Sequence, residues 1–476
     1  MTNAFLIYGI ELFSFIALYA SSYYYDWHYQ ISLYGIIMLG YFCTQQISSY
    51  LNLRNYKRIA NSPTPLASLK DRFIVLLIVG HRENPIYWKK CLQSVADLEC
   101  DQLKSVYIVV DGNEEEDKIM YDTAKEFFDE NNLYNVKVNI QMVYKRGKRG
   151  VMCHGFQKIR HDYFDIPDTI IDVAVTDSDT ILEPSSLVRL QECLHSDPRN
   201  GCATGSLYVF NTDYILTRVI NARYAYAFNI ERACASYFGC MSCCSGPLSM
   251  YRLDVLDETI LQRFVTQSIL GVKCEPGDDR HLTNLVMAKG YLSRQTQLST
   301  AGTEAPEYLF RYILQQMRWN RSFYRELRWQ IQSIPSHHFI LHFISIYELT
   351  FPWFVLTWSC FVLFKRASLE LLLDSFAYSV LIMLVRTIFI SLSLKQNMLL
   401  YGILYYIMYF TMLLPLKIFS LFTVLNNTWV TPSRHQMFKC LPSCSLDAKL
   451  AILFIAAWNV VVAYGITNTI VNSYTN

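Results

Sequence analysis

The chain has 476 residues, of which 52% are hydrophobic and only 17% are charged. Average globular chains carry about 25% charged residues, so this deficit indicates contact with lipid or an unusually large core. The formal net charge of +2 gives no electrostatic support for a nucleic-acid partner. Residues 70–330 have the composition of a soluble protein, whereas the two ends do not.

Two apolar runs near the start, at residues 4–20 and 31–51, each approach the ~20 residues that cross a bilayer. The link between them has no lysine or arginine, whereas Arg54, Lys57 and Arg58 follow the second run. Because positive residues stay on the cytosolic side, this pattern predicts a cytosolic N-terminus, a short external hairpin and a cytosolic chain after the second run.

Three shorter apolar runs come next, at 73–80, 106–112 and 170–177, with helical stretches such as 88–98 and 115–131 between them. A short continuous apolar run is typical of a strand buried on both faces of a parallel sheet. Strands and helices that alternate in this way predict a doubly wound α/β domain. Ligands bind such domains beyond the carboxyl ends of the strands.

Acidic residues stand at those strand ends. Asp111 follows the second run, and Asp177 and Asp179 follow the third. Since residues i and i+2 of a strand point the same way, the carboxylates of Asp177 and Asp179 are predicted to converge. Paired oxygen ligands suit Mg²⁺ or Mn²⁺, and such an ion can hold a diphosphate.

A second acidic cluster, Asp278 and Asp279, follows Gly277. A sugar transfer needs a base that takes a proton from the acceptor hydroxyl, and one of these carboxylates is suited to that role. The alternative is a solvated acidic turn before a helix that starts near His281.

Two further motifs point to a nucleotide and a sugar. Gln315, Arg318 and Trp319 together can hold a diphosphate and stack on a sugar ring. The basic, glycine-flanked loop 145–150 can grip phosphates, and the alternative is a plain solvated loop.

The segment 308–334 is aromatic and basic, which predicts a helix in the membrane interface or, alternatively, an amphipathic helix of the core. Four apolar runs long enough to span a bilayer come after it, at 339–364, 369–394, 398–424 and 450–470. Glu348, Asp374 and Arg386 lie inside these runs. Such residues either face a polar path within a helix bundle or lie near the interface.

Fourteen cysteines are scattered along the chain, and we predict that most are free thiols. Cys440 and Cys444 lack the matching second pair that a zinc site would need.

Taken in order, these motifs resemble those of processive family-2 glycosyltransferases, which include cellulose, chitin and hyaluronan synthases and rhizobial chito-oligosaccharide synthases. The matching segments are 109–112, 177–179, 246–248, 277–284 and 315–319. Within this group the chain is most similar to the hyaluronan synthases, through 244–252, 271–284 and 308–325. The resemblance covers about residues 73–470.

The resemblance implies an α/β GT-A-type cytosolic glycosyltransferase domain inserted between N- and C-terminal transmembrane helices, with amphipathic interface helices. The implied division is 1–60 for two transmembrane helices, 61–300 for the catalytic domain, 301–336 for the interface helices and 337–476 for the channel region. The implied location is a plasma membrane, with the catalytic domain in the cytosol.

On the donor side, the resemblance implies that Asp111 and Lys148 contact the uridine diphosphate and that His81 lies near the uracil. Asp177 would bind the nucleotide and, together with Asp179, the Mg²⁺ or Mn²⁺ ion. Cys274 would lie near the nucleotide.

On the acceptor side, Asp279 would be the catalytic base and Cys243 would lie near the acceptor. Gln315, Arg318 and Trp319 would hold the diphosphate and the acceptor sugar. Trp429 would begin a gating segment.

That gating segment departs from the family pattern. The family usually has Trp-Gly-Thr with Arg close behind, whereas residues 429–434 read Trp-Val-Thr-Pro-Ser-Arg. Valine in place of glycine removes backbone freedom, and Pro432 stiffens the backbone around it, so altered closure is expected. The resemblance also leads us to expect one helix fewer at the C-terminal end than in vertebrate-like relatives.

The gating segment also creates a conflict in topology. If all four C-terminal runs span, the gating segment is external, yet it must reach a cytosolic site. We therefore expect 398–424 to be partly re-entrant or interfacial, with Pro415 as its break, which gives about five spans and an external C-terminus.

The predicted function is hyaluronan synthesis from UDP-N-acetylglucosamine and UDP-glucuronate, with inversion at each sugar carbon and passage of the polymer through the membrane. The alternative within the family is a chitin or chito-oligosaccharide synthase that uses UDP-N-acetylglucosamine alone. Outside it, the alternative is a polytopic transporter or receptor with an inert nucleotide-binding domain, which the acidic residues at 177, 179 and 279 argue against.

Overall fold

The computed structural model describes residues 33–62, 71–131, 133–144, 146–163, 170–366, 368–427 and 445–475. The second apolar run of the sequence lies in the first described helix, α1 (Leu33–Ala60), and the first run lies outside the described residues. The end of α1 packs on the domain after it, where Asn52 Nδ2 donates to the carbonyl oxygen of Gln295 at 3.0 Å and Tyr56 is buried.

Eight strands form the central sheet, in the order β3-β2-β1-β4-β7-β6-β10-β5. Their bounds are β1 Arg72–Gly80, β2 Leu103–Asp111, β3 Lys137–Val143, β4 Ile170–Asp177, β5 Ile181–Leu182, β6 Asn200–Val209, β7 Ser249–Arg252 and β10 Leu292–Thr303. Strands β1, β2 and β4 pair in parallel, as the sequence predicted, and β3, which was not among the predicted strands, pairs in parallel with β2. The other half is mixed, because β7 runs antiparallel to β4 and β6. A separate hairpin contains β8 (Ser268–Ile269) and β9 (Val272–Lys273).

Helices cover the sheet. They are α2 Pro85–Ala96, α3 Glu115–Glu130, α4 Gly147–Tyr163, α5 Ser186–Leu194, α6 Ile215–Tyr226, α7 Arg232–Tyr237, α8 Glu258–Val265, α9 Asp278–Ala288 and α10 Leu309–Ser333. A π-helical turn, Ala227–Glu231, joins α6 to α7. The predicted domain boundary at residue 300 falls inside β10, which ends at Thr303.

The interior of β1 shows why its sequence is apolar without alternation. Val75 and Leu77 pack with Phe156 on one face of the sheet, and Leu76 packs with Trp88 on the other. Each fully buried side chain of this size contributes about 1.5–3 kcal/mol relative to an exposed one. The two buried faces hold the strand ends, and the acidic residues next to them, at one edge of the sheet.

The C-terminal region is helical, with α11 Ile340–Cys360, α12 Leu369–Leu394, α13 Leu399–Met408, α14 Leu414–Phe422 and α15 Leu446–Thr475. A π-helical turn at Phe361–Arg366 extends α11, and another at Tyr409–Leu413 joins α13 to α14. Among the described residues, four helices are long and apolar enough to cross a membrane: Ile340–Lys365, Leu369–Leu394, Leu399–Phe422 and Leu446–Tyr474.

The helix Leu399–Phe422 is continuous, so the predicted break at Pro415 is wrong. The preceding π-helical turn loosens the hydrogen-bond ladder, which accommodates a residue without an N–H donor. Near its start, Tyr401 Oη accepts a hydrogen bond from Arg218 of α6 at 3.1 Å. Just after its end, the carbonyl oxygen of Val424 accepts from Arg325 of α10 at 2.8 Å. Both ends therefore contact helices on the side of the sheet domain.

All twelve cysteines among the described residues are free thiols, which confirms the prediction for these positions. Cys440 and Cys444 lie outside the described residues.

Candidate active site

A cavity of about 2310 Å³ begins at the carboxyl ends of β1, β2 and β4 and continues between the C-terminal helices. Its sheet end is lined by Asp111, Asp177 and Asp279, and its far end by Phe354 of α11 and Ser379 of α12. The acidic sites noted in the sequence therefore meet in one chamber, which leads into the apolar helices.

The Asp111 carboxylate fixes the start of α4. Its Oδ1 accepts from the backbone N–H of Arg146 at 2.8 Å, and its Oδ2 accepts from that of Gly147 at 3.1 Å. Such a carboxylate satisfies amide donors that have no partner within the helix. The carbonyl oxygen of Asp111 lies 2.6 Å from Nδ1 of His81. His81, Asp111 and the basic loop are thus brought together at the cavity, and their contact with a nucleotide stays a prediction.

Lys148 joins the two acidic clusters. Its Nζ lies 2.7 Å from Oδ1 of Asp177 and 3.2 Å from Oδ2 of Asp278. Burial by itself would lower the pKa of Lys148, but the two carboxylates outweigh burial and raise the pKa. The ammonium group is therefore charged and lies between two acidic residues that are far apart in the sequence.

Asp177 and Asp179 both line the cavity, and Asp179 is buried. Burial raises the pKa of the Asp177 carboxyl, Lys148 opposes that shift, and the negative charge of Asp179 adds to it. Two close carboxylates that repel each other fit a divalent cation. Among the described residues, no group of three or more His, Cys, Asp or Glu is arranged to hold a metal.

Arg149 is the buried neighbour of Lys148. Its guanidinium donates to the carbonyl oxygens of Phe264, Glu275 and Pro276 at 3.0–3.2 Å. It therefore holds the loop that leads into α9 and Asp279. In the sequence, Arg149 stands out only as part of a basic loop. Successive side chains of a helix point about 100° apart. In the sequence this spacing is the one sign that Lys148 and Arg149 face different surroundings.

The Asp279 carboxylate lies at the start of α9, where Oδ1 accepts from the Arg280 N–H at 2.7 Å. Its Oδ2 lies 3.4 Å from Sγ of Cys243, which belongs to the segment between α7 and β7. The structure therefore brings together the predicted base and the cysteine predicted near the acceptor.

The turn before Asp279 approaches α10 closely. Gly277 has a φ of +92°, and a Cβ atom added there would lie 2.0 Å from Oγ of Ser322. Only glycine fits this position, both for its backbone conformation and for space. The start of α9 is thus held directly against α10.

Gln315, Arg318 and Trp319 of α10 all line the cavity. Oε1 of Gln315 is buried without a hydrogen-bond partner among the described residues, so an acceptor is left for a ligand. Trp319 is 39% exposed, which leaves ring surface for a sugar. Burial lowers the pKa of the Arg318 guanidinium, and the nearby charges of Asp278 and Asp279 act in the opposite direction. These residues form the wall of the chamber contributed by α10.

Comparisons with known proteins agree with this geometry. Residues 72–322 match the family described as "Glycosyltransferase like family 2". Hyaluronan synthase 2 of Homo sapiens is 32% identical over 447 residues, which cover 87% of this chain and 78% of that protein. Hyaluronan synthase 3 of Mus musculus is 30% identical over 475 residues, which cover 92% of this chain and 85% of that protein.

The chain belongs to the hyaluronan synthase family. As a member of this family it is a glycosyltransferase that makes hyaluronan, and the predicted family, fold class and enzyme class are confirmed. A solved structure of the mannosyltransferase PcManGT from Pyrobaculum calidifontis, in complex with GDP-Man and Mn²⁺, is 16% identical. Its TM-score is 0.45, and the match covers 76% of this chain and 95% of that one.

A buried polar cluster joins α9, which carries the predicted base, to α10, which carries Trp319. Glu326 of α10 is 1% exposed and accepts hydrogen bonds from Gln267 at 2.5 Å and Asn284 at 2.9 Å. Nδ1 of His281 lies 3.2 Å from the same carboxylate. Asn284 and His281 belong to α9, so the cluster aligns the helix of Asp279 with the helix of Trp319. Glu326 was not among the residues predicted from the sequence.

Two of the predicted site residues, Cys274 and Trp429, are not among the described residues that line the cavity. Cys274 is buried and does not line the cavity, although its neighbour Glu275 does. The predicted position of Cys274 near the nucleotide therefore stays a prediction. Trp429 lies outside the described residues.

Both described flanks of the segment that contains Trp429 are attached to α10. Arg325 donates to the carbonyl oxygen of Asn426 at 2.6 Å. Arg321 donates to Oδ1 and Oδ2 of Asp447 at 2.7 and 2.8 Å. The chain on either side of residues 428–444 is thus tied to the helix that carries Trp319.

The ionisable residues of the apolar helices separate into two groups. Glu348 and Arg386 line the cavity, and Arg386 lies 3.4 Å from Glu231, which also pairs with Arg223 at 2.7 Å. This agrees with the polar-path interpretation for these two residues. Asp374 is exposed near the start of α12, which agrees with the interface interpretation.

Proposed function

We propose that the chain polymerises N-acetylglucosamine and glucuronate alternately from their UDP forms. The observation that carries this proposal is the chamber in which Asp177, Lys148, Asp279 and Trp319 meet. It combines groups for a diphosphate, a base and a sugar ring in a member of the hyaluronan synthase family.

The donor nucleotide would bind at the sheet end of the cavity. Lys148 and Arg318 supply positive charge for the diphosphate, and His81 would lie near the uracil ring. Asp177 and Asp179 would hold a divalent cation, Mg²⁺ or Mn²⁺. When bound, that ion neutralises the diphosphate as it leaves.

Transfer then depends on Asp279. Its carboxylate would take the proton from the acceptor hydroxyl while the hydroxyl oxygen attacks the anomeric carbon. The bond to the UDP oxygen breaks on the opposite side, so the sugar carbon is inverted and UDP leaves with the bonding electrons. The contacts from Arg280 and Cys243 hold the carboxylate in one orientation for this step.

Trp319 would support the acceptor sugar. Its exposed ring gives an apolar surface of the kind that stacks on the C–H face of a pyranose, and it lies one helical turn from Gln315, whose carbonyl oxygen lacks a partner among the described residues. The lengthened polymer would leave through the part of the cavity between the C-terminal helices.

We further propose that the catalytic domain is cytosolic and that the helix Leu399–Phe422 lies in the interface without crossing it. Its contacts with Arg218 at one end and Arg325 at the other support this arrangement. With two N-terminal spans, the chain then has about five spans, and a plasma membrane is the proposed location.

The test uses the full chain, purified in detergent or lipid, with Mg²⁺ or Mn²⁺. Each UDP-sugar is supplied alone and then both together, and Asp279→Asn serves as the inactive control. We expect polymer only with both donors, and we expect hyaluronidase to degrade it. A long polymer made from UDP-N-acetylglucosamine alone and cut by chitinase would replace this proposal with chitin synthesis.

A further inference from the structure

Two cations face one aromatic ring where the cavity leaves the transfer site. The guanidinium carbon of Arg280 lies 5.7 Å from the ring centroid of Phe323, and Nζ of Lys417 lies 5.0 Å from it. All three residues line the cavity. Arg280 directly follows the proposed base Asp279, and Phe323 lies one helical turn beyond Trp319.

These two cations differ from two other cations of the cavity because they have no carboxylate partner within ion-pair distance among the described residues. In the same cavity, Lys148 is paired with Asp177 at 2.7 Å and Arg223 with Glu231 at 2.7 Å. Within the described part of the chain, neither Arg280 nor Lys417 forms an ion pair with a carboxylate.

Their remaining contacts are neutral or distant. Arg280 donates to Oγ of Ser242 at 3.3 Å. Carboxylates act on both cations from a longer range without forming an ion pair: Glu348, Asp279 and Glu326 on Arg280, and Glu348 and Glu231 on Lys417. Positive charge that is partly removed from water and unpaired favours an anionic ligand.

The position of Lys417 indicates which kind of anion the two cations would bind. It belongs to α14, whose residues Leu414 and Ile418 pack against Trp353 and Leu356 of α11. The cation pair therefore lies where α9 and α10 meet the apolar helices, whereas the groups proposed to bind the diphosphate lie at the sheet end. A ligand there is the part of the glycan that has already been joined.

We propose that Arg280 and Lys417 bind the carboxylate of a hexuronate unit in the growing glycan, just after it leaves the transfer site. This inference rests on the proposed function, since only a glycan that contains uronate offers a carboxylate. The pair would retain the acidic polymer between additions and would discriminate against a neutral glycan.

The test measures binding without turnover. The probes are a hexasaccharide of alternating glucuronate and N-acetylglucosamine and the same hexasaccharide with its carboxylates reduced to alcohols. One ion pair worth about 1.4 kcal/mol corresponds to tenfold in affinity, so we expect the purified full chain to prefer the acidic probe by about tenfold. In Lys417→Met the preference should fall to about twofold, and in Lys417→Arg it should be retained.

A matched control is Lys104→Met, because Lys104 also faces a phenylalanine ring, that of Phe73 at 4.6 Å, but does not line the cavity. Folding of each variant is checked by UDP binding, and Lys417→Gln takes the place of Lys417→Met if the latter fails that check. An unchanged preference without the Lys417 charge, or no preference in the parent chain, overturns the inference. The proposed function is tested separately by the composition of the polymer that the parent chain makes. The two tests are independent because the hexasaccharide probes are supplied and are not products of the enzyme.

Discussion

Replacing Glu326 by alanine should weaken both the stability of the chain and the alignment of α9 with α10, the helices that carry the proposed base and Trp319. The carboxylate is 1% exposed and is shared by Gln267, Asn284 and His281. Its removal leaves these buried donors without their shared acceptor, and each unsatisfied buried group costs about 1–3 kcal/mol, so a loss of at least about 3 kcal/mol is expected. Glu326→Gln keeps the shape and one acceptor oxygen, so a loss of about 1–2 kcal/mol is expected.

The measurement is equilibrium unfolding of the detergent-solubilised chain, monitored by tryptophan fluorescence, together with the rate of sugar transfer. Glu126→Ala on α3 is the control, because Glu126 is an exposed helical glutamate and its replacement should change stability by no more than about 0.5 kcal/mol. Transfer should fall in Glu326→Ala while UDP binding, which is proposed for the sheet end of the cavity, is retained. If Glu326→Ala were as stable as Glu126→Ala, the cluster would not hold α9 against α10 and the reasoning would be refuted.

The other predictions concern the roles of the acidic residues and the topology. Asp279→Asn should lower transfer by about 10²–10⁴-fold and leave UDP binding nearly intact, whereas Asp179→Asn should weaken UDP binding that depends on the metal. Near-normal turnover of Asp279→Asn would contradict the assignment of the base. Asn426 begins an Asn-Asn-Thr glycosylation sequon, and it should remain unmodified after passage through a eukaryotic secretory pathway, as judged by mass spectrometry. A glycan on Asn426 would show that the helix Leu399–Phe422 crosses the membrane.

Local signals in the sequence were sufficient for much of the fold. The apolar runs of β1, β2 and β4 are continuous because both faces of these strands are buried, so they could be recognised without any knowledge of their partners. Asp111 and Asp177 could be predicted as site residues because the end of a parallel strand fixes where the next side chain lies.

The parts that the sequence did not predict depend on contacts between distant residues. Nothing near Glu326 signals that Gln267 and Asn284 converge on it, and nothing near Cys243 signals its contact with Asp279. Hydropathy also does not distinguish a helix that crosses a membrane from one that lies beside a domain. For Leu399–Phe422 the proposal that it lies beside the domain rests on the contacts at its two ends, which its hydropathy does not signal.

The close approach of Gly277 to Ser322 has a consequence for engineering this enzyme. Because the Gly277 backbone meets the Ser322 side chain there with no spare room, α9, which carries the proposed base, cannot move closer to α10, which carries Trp319. A design that widens the gap between them to admit a bulkier sugar would disturb the base at the same time. Altered sugar selectivity is therefore better sought by exchanging other side chains that line the chamber, such as Gln316 and Asn320.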